Sequence, residues 1–338
     1  GVLVGQLSDA AVGLTWSPHF YGERTDWTTL PNGLPLLSSM PADSGTPVDR
    51  IIYLDFNGHD FTAGQVMCAP RLDAFFAAAV FDCVLDCVRI CSAFAFYLRG
   101  AQVEAWGDYG DTSIEAQGYS TDGDATTFSS SEQDFVRSVW ARVAEDFSPW
   151  EVNVTTVAPD ANDLATSEKI VHLLITKNEQ VGGSPMPYSS YGGVAYVGIY
   201  GTSYNANYGP AMVFYENLYY ADNVADACSH EAGHNLGLYH HGTSQSNYHW
   251  GDSDASWGPI MGAPYNMDRT RWSDGSYSDA SNPNQDDVEV LTHKLNLRDA
   301  DAAAESASGT VLTLSDNGMG QQSAVATGIF RVSGEEHR

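Results

Sequence analysis

The sequence predicts an α/β fold in which a mixed sheet is built around one functional helix. Three observations predict it. Short β-prone apolar runs recur at 50–56, 152–156, 169–175, 192–198 and 211–215, bounded by Gly, Pro, Asn or Ser. Between the first two of these runs, residues 131–147 place Phe135, Val136, Val139, Trp140, Val143, Ala144 and Phe147 at three-to-four spacing, the stripe of an amphipathic helix. A second helical stretch, 222–236, directly follows the last run and carries two histidines four residues apart.

Composition narrows the classes. Across 338 residues, 43% apolar and 12% aromatic content supports a real core. The formal net charge is −28, from 15 basic and 43 acidic residues. Nucleic-acid binding needs clustered Lys and Arg to meet phosphate, so this balance argues against a nucleic-acid partner. The chain starts at Gly1 rather than Met and reads as a processed or excised fragment without a visible signal peptide.

In order along the chain, residues 1–48 are rich in Gly, Pro, Ser and Thr and read as an extended lead-in, the remains of a propeptide. A catalytic unit is expected over 49–300. The run at 50–56 is its first strand, followed by Asn57-Gly58-His59 as a turn, with His59 a loop residue. Residues 66–102 do not match their surroundings. They hold Cys68, Cys83, Cys87 and Cys91, four of the five cysteines, within an apolar stretch interrupted by Asp82, Asp86 and Arg89. No C-x-x-C pair is present for a zinc site, and the internal charges count against a membrane span. Gln65-Val66 recurs as Gln102-Val103 at the two ends, so the segment reads as an insertion or a translated, unspliced intron. A hydrophobic helical insertion is the alternative.

The helix at 131–147 is expected to be capped by Ser131 with Asp134 and stopped by Pro149. Asn153-Val154-Thr155 is a glycosylation sequon that reads more simply as part of a strand. The continuous apolar run at 169–175 suggests a buried strand, with His172 a satisfied sheet histidine. On the helix at 222–236, Cys228 is expected as a buried thiol. Gln285-Asp286-Asp287 opens a last helix with acidic residues at its positive end. Residues 301–338 read as a linker followed by the start of a β module, with strand-like runs at 309–314 and 324–332.

The chemistry concentrates at Ser229-His230-Glu231-Ala232-Gly233-His234-Asn235-Leu236-Gly237-Leu238-Tyr239-His240, which reads H-E-x-x-H-x-x-G-x-x-H. His230 and His234 share a helix face and can hold one metal ion, with Zn²⁺ the natural match for neutral imidazole. Gly237 tolerates the left-handed conformation that ends a helix sharply and could bring His240 round as a third ligand. His241 is its local competitor. Three histidines leave one position open, the catalytic arrangement. Glu231 lies between the ligands, placed to act as general base.

The extended motif resembles the metzincin clan of zinc endopeptidases. Members also carry a methionine turn beneath the metal, and Ser256-Trp257-Gly258-Pro259-Ile260-Met261-Gly262 fits, with Met261 as the counterpart. Pro259-Ile260-Met261 and His234-Asn235-Leu236-Gly237-Leu238 look closest to secreted reprolysin-like members. The sequence departs from them at His241, where they have Asp, and in lacking their bracing cysteines. The resemblance implies an α+β zincin-type architecture: a twisted mixed sheet, an active-site helix, and a mostly helical or irregular C-terminal subdomain with the methionine turn. It implies one catalytic Zn²⁺, protein or peptide substrates, an extracellular setting and no stable membrane insertion. It also implies an edge strand above the cleft that pairs with substrate, at Val194, Ala195, Tyr196 and Gly198. Ala263 occupies the slot where some members place a metal-approaching tyrosine, and Tyr265 lies four beyond the turn methionine. A zinc-stabilised binding or adhesion module, or a latent protease without turnover, is the alternative. Calcium dependence and oligomeric state are not legible in the sequence.

Overall fold

The computed structural model describes residues 2–7, 28–40, 49–61, 114–254, 256–298, 315–316 and 322–327. The expected insertion at 66–102, the linker at 300–308 and the strand-like run at 309–314 lie outside them. In chain order the strands are β1 (Val2–Leu7), β2 (Ile51–Asp55), β3 (Gly58–Phe61), β4 (Ile114–Gln117), β5 (Asn153–Thr155), β6 (Ile170–Thr176), β7 (Gly193–Val194), β8 (Ala211–Phe214), β9 (Gly258–Pro259), β10 (Thr270–Arg271), β11 (Ser315–Asp316) and β12 (Gln322–Thr327). The helices are α1 (Ser130–Asp146), α2 (Ala161–Thr166), α3 (Asn205–Tyr208), α4 (Tyr215–Leu218), α5 (Ala221–Leu236) and α6 (Asp287–Leu295).

The arrangement is mixed α/β, as the sequence predicts. Its centre is a five-stranded sheet ordered β5-β2-β6-β8-β7. The first four strands run parallel and β7 closes one edge antiparallel to β8. Alternation along the strands splits the side chains between two faces. Ile52, Leu54, Val171, Leu173, Ile175 and Val213 join one core with Val136, Val139, Trp140 and Val143 of α1 and Val224, Ala225, Cys228 and Ala232 of α5. Leu174, Met212 and Phe214 face the other way and pack with Ile114, Tyr196 and Ile199. Leu34 and Leu37 of the expected lead-in are buried in the first core, and Leu37 O accepts the Thr156 amide at 3.0 Å. A separate three-stranded sheet orders β1-β12-β11 and pairs Val2 with Thr327.

Three local expectations are corrected. The cap of α1 is Ser129, not Ser131 with Asp134. Ser129 is the last extended residue (φ −62°, ψ 165°), so its hydroxyl can accept from the Glu132 amide, while the Glu132 carboxylate accepts from the Ser129 amide. Ser131 is already inside the helix. The turn expected at Asn57-Gly58-His59 is confined to a bend: Gly58 and His59 begin β3, which pairs antiparallel with β4. The strand expected at 192–198 is paired only at Gly193 and Val194. Beyond it the chain turns onto the end of α5, where Tyr196 O accepts from Asn235 Nδ2 at 2.9 Å and the Gly198 amide donates to His234 O at 2.8 Å.

Candidate metal centre and active site

Helix α5 is buried along almost its whole length, from Asn223 to Leu236. It packs against both the sheet and α1, so its polar residues have to find partners within the protein. His230 and His234 sit one turn apart on the face that meets the 258–261 segment and the chain after Gly237. His230 Nδ1 donates to Ile260 O at 2.7 Å and His234 Nδ1 donates to Leu238 O at 2.8 Å. A ring nitrogen that gives its proton to a carbonyl leaves the other nitrogen unprotonated, and here both Nε2 atoms are free to act as ligands.

The helix ends as its glycine predicts. Gly237 adopts a left-handed conformation (φ 110°), and the Leu238 amide returns to Gly233 O at 2.9 Å. The reversal brings His240 back over the helix, its Nε2 3.0 Å from His234 Nε2. One ligand atom from each of His230, His234 and His240 falls within 4.8 Å of the others. His241, the competitor by spacing, is fully buried and turns away, with Nε2 3.0 Å from Asp287 Oδ1 at the start of α6.

Burial disfavours protonation of all three rings. It holds His230 well below the usual imidazole range, with the neighbouring histidines adding to the effect. It lowers His234 to about 4 and, with help from His234, lowers His240 to about 3. Rings held neutral at pH 7 are in the protonation state a metal requires. Three imidazoles without thiolate or further carboxylate suit zinc and leave an open position.

Glu231 is 5% exposed, and its Oε2 has no hydrogen-bond partner. Burial pushes its carboxyl up to about 8. A buried, unpartnered carboxylate oxygen beside a three-histidine cluster is costly unless a further group completes the site. The edge strand passes directly over it: a Cβ built at Gly193 would stand 2.5 Å from Glu231 Oε1. Below the histidines Met261 is fully buried, with its sulfur against Gly233, where an added Cβ would come within 2.5 Å of Sδ. Met261 O also accepts the His241 amide at 2.8 Å, tying the methionine segment to the chain that delivers His240.

Of the four edge residues read as substrate-binding, Val194 and Ala195 are half-buried beside Glu231's strand neighbour Gly193, Tyr196 is buried in the second core, and the Gly198 amide is spent on α5. Tyr248 was not singled out in the sequence. Its ring lies 4.4 Å from that of His240 and 6.4 Å from that of His230. It comes from a polar loop with no periodicity or motif to mark it. Tyr265 approaches the edge strand, its hydroxyl 3.0 Å from the position of a Cβ at Gly192.

The histidine cluster could hold one metal ion, with the buried glutamate and the edge strand beside it. The sequence model of the metallo-peptidase family M12B, reprolysin-like, matches residues 148–241, which run from before β5 through all three histidines. Over that stretch the resemblance to reprolysin-like metallopeptidases is shown, and with the histidine cluster it supports a zinc-dependent peptidase. Searches among curated proteins and solved structures found no match.

Proposed function

We propose that this chain is a secreted zinc endopeptidase that hydrolyses peptide bonds in protein or peptide substrates, with Glu231 as general base. The observation that carries the proposal is the convergence of His230, His234 and His240 within 4.8 Å beside the unpartnered Glu231 Oε2. His230, His234 and His240 would hold the ion, and Met261 would support their rings from below. When bound, zinc supplies Lewis acidity toward a carbonyl oxygen and a water molecule. Glu231 takes a proton from the attacking water at Oε2 and later delivers it to the leaving nitrogen. The outer edge of β7, at Val194 and Ala195, would align an extended peptide by main-chain hydrogen bonds.

The extracellular assignment rests on the reprolysin-like resemblance. Among the described residues, no helix is long and apolar enough to cross a membrane. A purely structural zinc site would gain nothing from a buried carboxylate beside an open position, which disfavours a binding module without turnover. Cleavage of a generic protein substrate that is abolished by a chelator and restored by zinc supports the proposal; a folded, zinc-loaded chain that cleaves nothing overturns it.

A further inference from the structure

On the face of the central sheet turned away from α5, three more chemistry-bearing side chains meet. Asp55 at the end of β2, His59 on β3 and His172 on β6 bring a carboxylate oxygen and two ring nitrogens within 4.8 Å of one another. The parallel register pairs Tyr53 with His172, which places Asp55 and His172 on the same face. Asp55 Oδ1 accepts the Asn57 amide at 3.0 Å, and that fixes the carboxylate so that Oδ2 lies 3.0 Å from His172 Nε2. His59 stands edge-on to His172, ring centroids 5.3 Å apart and planes at 84°. The Asp55 and His172 side chains are 7% and 11% exposed.

We propose that Asp55, His59 and His172 form a second metal site that takes one zinc-class divalent transition ion. A paired aspartate and histidine would account for two of these residues; the ring nitrogen of His59 inside the same small volume is what makes a three-ligand set. Two imidazoles with one carboxylate suit zinc and its first-row neighbours, whereas calcium and magnesium call for oxygen donors throughout. Ligand atoms at about 2.0–2.1 Å around a tetrahedral ion lie about 3.3 Å apart. The Asp55–His172 pair already has nearly that spacing, so loading requires chiefly a small approach by the His59 ring. A cavity beside the cluster, lined by His59, His172, Ile199, Asn205 and Pro210, provides access and room for a water at the remaining position. β3 belongs to the two-stranded β3–β4 sheet and not to the central sheet. The ion therefore cross-links two sheets, and its removal loosens the β3–β4 pair.

The test separates this site from the histidine cluster on α5. The full-length apo chain is titrated with Zn²⁺ by calorimetry, and with Co²⁺ by visible absorption, as wild type, His234→Ala, His59→Ala and the double variant, each checked for fold by circular dichroism. The expected stoichiometries are two equivalents for wild type, one for each single variant and none for the double variant. Zinc should also raise the melting temperature of His234→Ala and leave that of the double variant unchanged. His59 is half-buried on a strand outside the central sheet, so its replacement spares the main core. One equivalent in wild type that is lost in His234→Ala and unaffected in His59→Ala overturns the second site and leaves the first standing. One equivalent retained in His234→Ala and lost in His59→Ala supports the second site and removes the first.

Discussion

Gly193→Ala tests the link between the edge strand and Glu231. Gly193, on β7, pairs with Val213 of β8 and does not have a positive φ, so alanine brings no backbone strain there. Its Cβ, however, would stand 2.5 Å from Glu231 Oε1, 2.8 Å from Cγ and 2.9 Å from Cδ. Ordinary contact needs about 3.5 Å or more, so the carboxylate or the strand must retreat by about 1 Å. A displacement of that size at a reacting group costs roughly 100-fold in rate, equivalent to about 2.7 kcal/mol of transition-state stabilisation. The assay is kcat/KM on a fluorogenic peptide mixture, with zinc content measured on the same preparation. Because Glu231 is proposed as base and not as ligand, zinc content should stay at the wild-type level while kcat/KM falls. In the Glu231→Gln background the same substitution should cause little further loss, since two changes at one group are not additive. A Gly193→Ala protein with wild-type zinc and kcat/KM within about threefold of wild type would refute the reasoning.

Other perturbations probe the remaining parts. His240→Ala should weaken zinc binding more than about 100-fold, beyond what changes outside the ligand set cause, whereas His241→Ala should lower stability and keep the metal; zinc titration with a competing chelator distinguishes them. Met261→Ala empties space beneath the histidines and should cost about 2–5 kcal/mol of stability, read by urea denaturation. Burial pushes Asp226 up to about 6 from its ordinary 3.8, against the opposing pull of Arg142. The folded chain thus holds this proton more tightly than the unfolded chain, so the associated stability is present below about pH 4 and is lost as pH rises through about 6. Asp226→Asn should flatten that decline, gaining relative to wild type between pH 4 and pH 7; parallel curves for the two proteins would contradict it.

The strands and long helices were legible because their patterns are strong and continuous: the stripe from Phe135 to Phe147, and the apolar run that became Ile170–Thr176. The metal-type motif was legible because its spacing encodes a helix face, a left-handed glycine and a return. Spacing favoured His240 over its neighbour His241, and what the sequence did not show is where His241 goes instead, to Asp287, 46 residues away. Tyr248 was invisible for the same reason: its nearness to His240 is set by loop geometry. His59 was misjudged because Asn57-Gly58 is a strong turn signal, and its pairing strand β4 follows more than fifty residues later, past the segment at 66–102. The shortness of β7 could not be read locally either, because the tail of α5 captures the Gly198 amide.

The most direct test of the central claim is chelator-sensitive cleavage of a generic protein substrate by the zinc-loaded wild type beside Glu231→Gln, with zinc content measured for both. Equal zinc in the two proteins is expected, with cleavage reduced by about 100-fold or more in the variant, the usual contribution of a general base. Equal zinc with equal cleavage would remove Glu231 from the mechanism, and zinc in both with cleavage in neither would contradict the peptidase assignment itself.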